Sequence, residues 1–184
     1  GESHGRAIGG VLDGMAAGVP VDEEFIAACM DKRRARGDGL STPRVEADNV
    51  QLLSGVVNGH TTGTAIALMI ENQNTRSGDY AKTADLLRPG HADYTAGVKY
   101  GGHADFAGGG AFSGRLTAPL CIAGGICFQL LEKRGIPVIS RIASIGTVED
   151  TTPLTVSTAG KPFPAADDAA GAAMQAAIAG AKAE

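Results

Sequence analysis

Val50-Gln-Leu-Leu-Ser-Gly-Val-Val-Asn-Gly-His-Thr-Thr-Gly-Thr-Ala-Ile-Ala-Leu-Met-Ile-Glu71 carries the reading of the fold. Two runs of strand character flank Asn58-Gly59, the dipeptide that most readily takes the positive φ angles of a type I′ turn, so the stretch predicts an antiparallel hairpin. His60 follows the turn directly, where its side chain is expected to face solvent, and no catalytic role is assigned to it.

Upstream of the hairpin, residues 7–13 are compatible with a strand, and Gly9-Gly10 would let a second backbone approach closely. Asp22 is placed to cap a helix, with Glu23 and Glu24 in its positive first turn and Val21 stapled against Ile26. Phe25, Ile26, Cys29 and Met30 form the buried stripe of that helix, and Arg33, Arg34 and Arg36 crowd its far end before Gly37. Basic residues there complement the helix dipole, and the same cluster suits an anion.

Downstream, Asn72 to Tyr80 reads as a polar loop, Ala81 to Leu87 as one or two helical turns, and Ala92 to Tyr100 as a short helix. Six glycines between 101 and 114 then break regular structure; such a run is either a flexible loop or a set of backbone N–H groups presented to an anion or flat cofactor. Leu116, Leu120, Ala123, Cys127, Leu130 and Leu131 recur at helical spacing and predict the apolar face of a long helix, capped by Ser113 or Thr117 and ended by Gly135. A strand is expected over Ile136–Ile145, a loop from Thr147 to Pro164, and from Asp167 an alanine-rich helix whose large anchors are Met174 and Ile178.

The 184 residues suffice for one domain that buries roughly 70% of its unfolded surface. A hydrophobic content of 43% against 20% charged residues excludes a disordered chain. The formal charge of −4 provides no general attraction to nucleic acid or an anionic membrane, so a phosphorylated ligand would need local arginines. No apolar run is read as approaching the roughly 20 residues of a membrane span, no signal peptide is visible, and a cytoplasmic protein is expected. Cys29, Cys121 and Cys127 lack Cys-x-x-Cys spacing and read as buried thiols of a reducing compartment.

Chemistry concentrates in Arg88-Pro-Gly-His-Ala-Asp-Tyr-Thr95, where a histidine, a carboxylate and an arginine share one short turn. Pro89 pushes Arg88 away from helical dihedrals and Gly90 accepts a positive φ, so His91 should project from a fixed bend. A lone histidine on such a turn is more often a surface residue than a proton donor. A second histidine motif, Gly1-Glu-Ser-His-Gly5, changes that balance. Ser3 and His4 are not read as a nucleophile and base, because adjacent side chains rarely face each other. Gly108 to Gly110 do not follow a strand directly and are no dinucleotide fingerprint. His91-Ala-Asp93 and His103-Ala-Asp105 repeat a His-x-Asp spacing, which motivates a metal-dependent hydrolase as one alternative.

Taken in order, the Gly-Glu-Ser-His-Gly opening, Ser54-Gly55-Val56, Gly59-His-Thr-Thr-Gly-Thr64, Asn72 through Tyr80, the 88–95 turn, Lys99-Tyr-Gly101, Gly108-Gly-Gly110 and Ser113-Gly-Arg115 form a specific set that resembles chorismate synthase. The resemblance implies an α+β fold, with helices packed between antiparallel sheets in a β-α-β sandwich that residues 1–184 leave incomplete. The chain opens on the histidine motif and stops inside a helical pattern, so it is expected to be one domain-sized piece of a longer chain. The implied reaction, in the shikimate pathway to aromatic amino acids, converts 5-enolpyruvylshikimate 3-phosphate to chorismate and phosphate by 1,4-anti elimination. It requires reduced FMN, with NADPH or a flavin reductase as electron source, and a homotetramer of full-length subunits.

Carried over by motif, His4 and His91 correspond to the family's two proton donors, one to the reduced flavin and one toward the departing phosphate. Arg33, Arg88 and Arg115 correspond to arginines of the substrate site and are expected to converge on the phosphate. The opposing expectation has Arg33 serving its helix dipole and Arg115 pairing with Asp93 or Asp105. Ala111, Phe112 and Ser113 correspond to the flavin-contacting segment. Gly39, Val45, Ala107 and Ala111 stand where many members carry basic residues, and the family's later flavin-contacting loop has no counterpart. These departures define the other alternative, a non-catalytic remnant that keeps the fold and an oligomer interface.

Overall fold

The computed structural model describes residues 1–35, 40, 41, 44, 46–73 and 86–183. In chain order its elements are β1 (Ala7–Leu12), α1 (Glu23–Arg33), β2 (Val50–Leu52), β3 (Val56–Val57), β4 (His60–Thr61), β5 (Ile66–Glu71), α2 (Asp93–Lys99), α3 (Thr117–Lys133), β6 (Ser144–Ile145), β7 (Val148–Glu149) and α4 (Asp168–Ala183). Short 3-10 turns at Gly110–Phe112 and Gly114–Leu116 lead into α3. The architecture is α+β, with antiparallel pairing in every described sheet. Residues 74–80 of the expected loop, 81–85 of the expected helical turns, and Arg36, Gly37, Gly39 and Val45 lie outside the described residues.

The stretch from Val50 to Glu71 is a nested hairpin. Asn58 (φ 50°) and Gly59 (φ 71°) both take left-handed dihedrals, so the turn matches the twist of β3 and β4 on either side. Outside them β2 and β5 pair again, and β1 joins the other edge of β5 to complete a sheet of order β1-β5-β2. Along β5 burial alternates with period two, and Ile66, Leu68 and Ile70 face inward. Gly9 allows β1 to approach: a Cβ there would lie 2.4 Å from the Leu68 carbonyl oxygen. His60 is exposed, as expected.

Helices α1 and α3 cover the inner face of that sheet. Asp22 caps α1, its Oδ1 accepting from Phe25 N at 3.0 Å, and Ile26 and Met30 enter the core beside Ile8, Ile122 and Ile126. The buried Gln129 of α3 joins the two helices, accepting from Asp22 N at 2.8 Å and donating to Asp22 O at 3.1 Å, which satisfies both backbone groups of the cap residue. At the far end, Gly135 N donates to Glu132 O and Ile136 N to Leu131 O around a Gly135 φ of 67°, a Schellman ending.

Three expectations are corrected here. The buried face of α3 consists of Ala118, Pro119, Ile122, Gly125, Ile126 and Gln129, whereas Leu120 is 70% exposed. Small side chains decide this: a Cβ on Gly125 would sit 3.3 Å from Ile26, so α1 packs where α3 is thinnest. The same helix with its preceding turn, Gly114–Lys133, has 20 residues at mean hydropathy 1.3 and is long and apolar enough for a membrane span, contrary to the reading that no run approaches that length. Its inner face is committed to the core with α1 and β1. The expected strand over Ile136–Ile145 is reduced to Ser144–Ile145, which pairs with β7 inside the predicted loop. A strand exists only through a partner, and among the described residues Ile136, Val138 and Ile139 have none and are exposed. The three cysteines are free and half-buried.

The C-terminal unit is tied by Asp150. Its buried carboxylate accepts from Thr152 N (3.0 Å), Ala166 N (2.6 Å) and Asp167 N (3.1 Å) and pairs with Arg141 Nη1 at 3.4 Å. Asp167 then caps α4 by accepting from Ala170 N; the buried face of α4 is thin, as expected, but consists of Gly171 and Met174, while Ile178, the other expected anchor, is half-buried.

Candidate active site

Glu2 to Gly5 form a tight turn closed by Gly5 N donating to Glu2 O at 3.1 Å. Ser3 is fully buried, its N–H donates to Gly110 O at 3.1 Å, and its Oγ stands 2.9 Å from His4 Nδ1. The expectation that these neighbours face apart is therefore wrong, because both occupy the central positions of one turn that is pressed against the glycine-rich segment. Burial, reinforced by the nearby Arg44 guanidinium, pushes the His4 pKa below its ordinary value.

Arg44 donates to Ser3 O at 3.1 Å and pairs with Glu46 Oε1 at 2.7 Å. Two residues further on, Asp48 takes Arg33 Nη1 on one oxygen at 3.1 Å and Arg115 Nη1 on the other. Arg33 reaches this point from the last turn of α1, and Arg115 from the 3-10 turn that Ser113 caps ahead of α3. No role is expected from sequence for Arg44, Glu46 or Asp48; the competing expectation pairs Arg115 with a carboxylate such as Asp93 or Asp105, and the carboxylate it meets is Asp48. The available signal is the i, i+2 spacing of three charged residues, Arg44, Glu46 and Asp48.

On the opposite wall, the buried Asp93 holds Arg88 by two side-chain bonds of 2.8 Å and by the Arg88 N–H, and it binds His91 Nδ1 at 2.7 Å. The Arg88 guanidinium is the main cause that holds the Asp93 carboxyl well below the usual carboxylate range. Arg88 is fixed in place by this pairing.

These pieces enclose a cleft of ≈ 580 Å³ lined by His4, Arg33, Arg44, Arg88, Ser113 and Arg115, among others. With Arg34, five arginines face the carboxylates of Glu46 and Asp48, so positive charge is in excess. Of the residues expected to share one cleft, Arg33, Arg88, Arg115 and His4 line it. His91 is exposed and stands behind Arg88, 3.5 Å from its Nη2, and does not line the cleft. Ser113 lines it, but Ala111 and Phe112 are exposed outside it, and the Phe112 ring lies against Tyr100 with centroids 6.4 Å apart. Among the described residues no group of three or more His, Cys, Asp or Glu side chains could hold a metal ion, so the His-x-Asp repeat has no geometry behind it.

The chorismate synthase family model matches residues 1–184. The chain belongs to the chorismate synthase family. It is 42% identical over 146 residues to a chorismate synthase of Korarchaeum cryptofilum, an overlap of 79% of this chain and 40% of the relative. It is 45% identical over 155 residues to one of Dehalococcoides mccartyi, covering 84% of this chain and 43% of the relative. A crystal structure of chorismate synthase superposes with a TM-score of 0.59 at 32% identity, covering 81% of this chain and 38% of that one. The chain thus spans about two fifths of the length of the curated relatives it matches.

The glycines of the family's Gly-Gly-Gly segment serve packing within the chain. A Cβ on Gly108 would lie 2.2 Å from His4 Cε1, one on Gly109 2.8 Å from Ser113, and one on Gly110 2.1 Å from the Asp105 carbonyl oxygen. Their missing side chains make room for His4, Ser113 and Asp105, and Gly108 and Gly109 also line the cleft. Gly108→Ala is therefore expected to push the imidazole aside and to strain a φ of 59° by about 1–2 kcal/mol. With His4 expected as a proton donor, turnover of the intact protein should fall about 10- to 100-fold, the usual cost of displacing such a group by an ångström. Steady-state kinetics beside a thermal melt check this; a lower melting point at unchanged turnover would count against it.

Proposed function

We propose that the chain supplies the phosphate-recognising wall of a lyase that converts 5-enolpyruvylshikimate 3-phosphate to chorismate and phosphate. The convergence of five arginines and His4 on one cleft carries this reading, since planar guanidinium forks match phosphate oxygens in pairs. Arg115 adds a specific anchor. Its Nη2 is buried without a hydrogen-bond partner among the described residues, a vacancy that an anionic oxygen would satisfy.

In this reading Arg88 and Arg115 neutralise charge that grows on the leaving phosphate during 1,4-anti elimination. His4 holds a proton at that end of the cleft. Burial and Arg44 disfavour its cationic form, and a phosphate dianion arriving beside it reverses that balance, so the ring takes up a proton when substrate is present and can pass it on. His91 is the second donor of this reading. Its Nδ1 is committed to Asp93, which leaves Nε2 for proton exchange.

Reduced FMN belongs to the reading as the cofactor of the whole protein, supplied with electrons by NADPH or a flavin reductase. The residues of this chain do not by themselves fit it: Ala111 and Phe112 lie outside the cleft, and of the expected flavin-contacting segment only Ser113 lines it. The reading further comprises a cytoplasmic location, a homotetramer of full-length subunits, and no nucleic-acid or membrane partner.

Incubating the intact protein with 5-enolpyruvylshikimate 3-phosphate and reduced FMN should yield chorismate and phosphate in equal amounts. Retained phosphate binding with no product would instead favour the non-catalytic remnant. The 184-residue chain alone is expected to bind oxidised FMN weakly or not at all in a fluorescence-quenching titration. Submicromolar binding would show that these residues do form a flavin cradle.

A further inference from the structure

We infer that Asp48 is a positioning residue that aims Arg115 at the anion, an inference that rests on the proposed phosphate-binding role of the cleft. Asp48 is a buried carboxylate, its side chain 1% exposed, inside a site that recognises negative charge. By charge alone it weakens anion binding, so its presence calls for another reason. The bonding supplies one. Arg33 has all three guanidinium nitrogens engaged by the protein: Nε on Thr117 Oγ1 at 3.2 Å, Nη1 on Asp48 Oδ2 at 3.1 Å and Nη2 on Gly114 O at 3.2 Å. It is a brace between the end of α1 and the start of α3. Arg115 is engaged on two nitrogens only, Nε with Asn72 Oδ1 at 3.0 Å and Nη1 with Asp48 Oδ1. Its side chain is 6% exposed, and Nη2 has no partner among the described residues.

Two acceptors on adjacent nitrogens of a planar guanidinium fix its orientation. Asp48 and Asn72 therefore fix the orientation of Arg115, a residue that lines the cleft, and leave its buried Nη2 as the nitrogen without a partner among the described residues; Asp48 holds the Arg33 brace with its other oxygen. The backbone at Asp48 has a φ of 51°, a left-handed conformation that Asp and Asn tolerate better than other side chains. Arg115 meets the phosphate together with Arg88, and Arg33 and Asp48 set its position.

Asp48→Asn keeps shape and backbone tolerance while removing the charge. In the intact protein it is expected to raise both KM for 5-enolpyruvylshikimate 3-phosphate and the inhibition constant of inorganic phosphate by about tenfold. A residue that only balances charge predicts the opposite sign, and tighter phosphate binding by this variant overturns the inference. Asp48→Gly, which suits the same φ, gives the same measurement should the asparagine variant not fold. The effect must also vanish when Arg115 is already alanine, because Asp48 acts through it. If Arg115→Ala raises KM and Asp48→Asn does not, or if the two effects simply add, the positioning role is wrong while the phosphate reading stands. If Arg115→Ala leaves both KM and phosphate inhibition unchanged, the phosphate reading itself fails.

Discussion

His4→Ala in the intact protein is expected to lower turnover by about 10² to 10⁴, the usual worth of a positioned general acid, with little change in melting temperature. His4 is half-buried and its ring bonds Ser3 within one surface turn, so the fold loses little with it. His91→Ala should also lower turnover while Arg88 stays pinned by Asp93. The pH profile provides an independent check. The free-protein pKa of His4 is below 6.5, so kcat/KM should fall as pH rises through that lower value. A bound phosphate dianion favours the imidazolium, so the corresponding limb of kcat should lie at higher pH. Unchanged turnover in His4→Ala with a lowered melting point would make His4 a structural residue and remove it from the site.

Asp150→Ala should produce the largest loss of stability. The substitution strips acceptors from the buried amide of Ala166 and the amide of Asp167 and leaves the Arg141 guanidinium, whose Nε already lacks a partner among the described residues, without its carboxylate. A melting temperature lower by about 5–10 °C is expected for the transition of the C-terminal unit, followed by circular dichroism. Hydrogen bonding from Thr152, with the backbone amides of Asp167 and Ala166, holds the Asp150 carboxyl well below the usual carboxylate range. The folded value is lower than the unfolded one, so this stabilisation is complete above the ordinary carboxylate value near 3.8 and is lost as pH falls through the folded value. The alanine variant should lack that part of the acid dependence. A melt superimposable on that of the parent at neutral pH would show that the four bonds contribute nothing net.

Local chemistry made much of the fold legible before any coordinates. Asn58-Gly59 determines its turn because both residues accept positive φ, Asp22 determines the start of α1 because its carboxylate reaches Phe25 N, and Gly135 ends α3 for the same reason that Asn58-Gly59 turns. Alternation along β5 is likewise a property of the strand itself. The ordered motifs identified the family, and with it the cluster of Arg33, Arg88, Arg115 and His4. What pattern could not reach depends on partners distant in sequence. Leu120 and Ile122 have equal claims to the apolar face of α3 until Gly125 meets Ile26, and the tightest approach, not side-chain size, selects the buried side. The segment from Ile136 is a strand by composition, but a strand requires a second strand, and among the described residues pairing begins only at Ser144. Ser3 faces His4 only because the glycine-rich segment presses their turn from behind. Arg115 meets Asp48 across 67 residues of chain, a charge pairing that no local rule encodes and that forms because α1, α3 and the strand after Asp48 share one core.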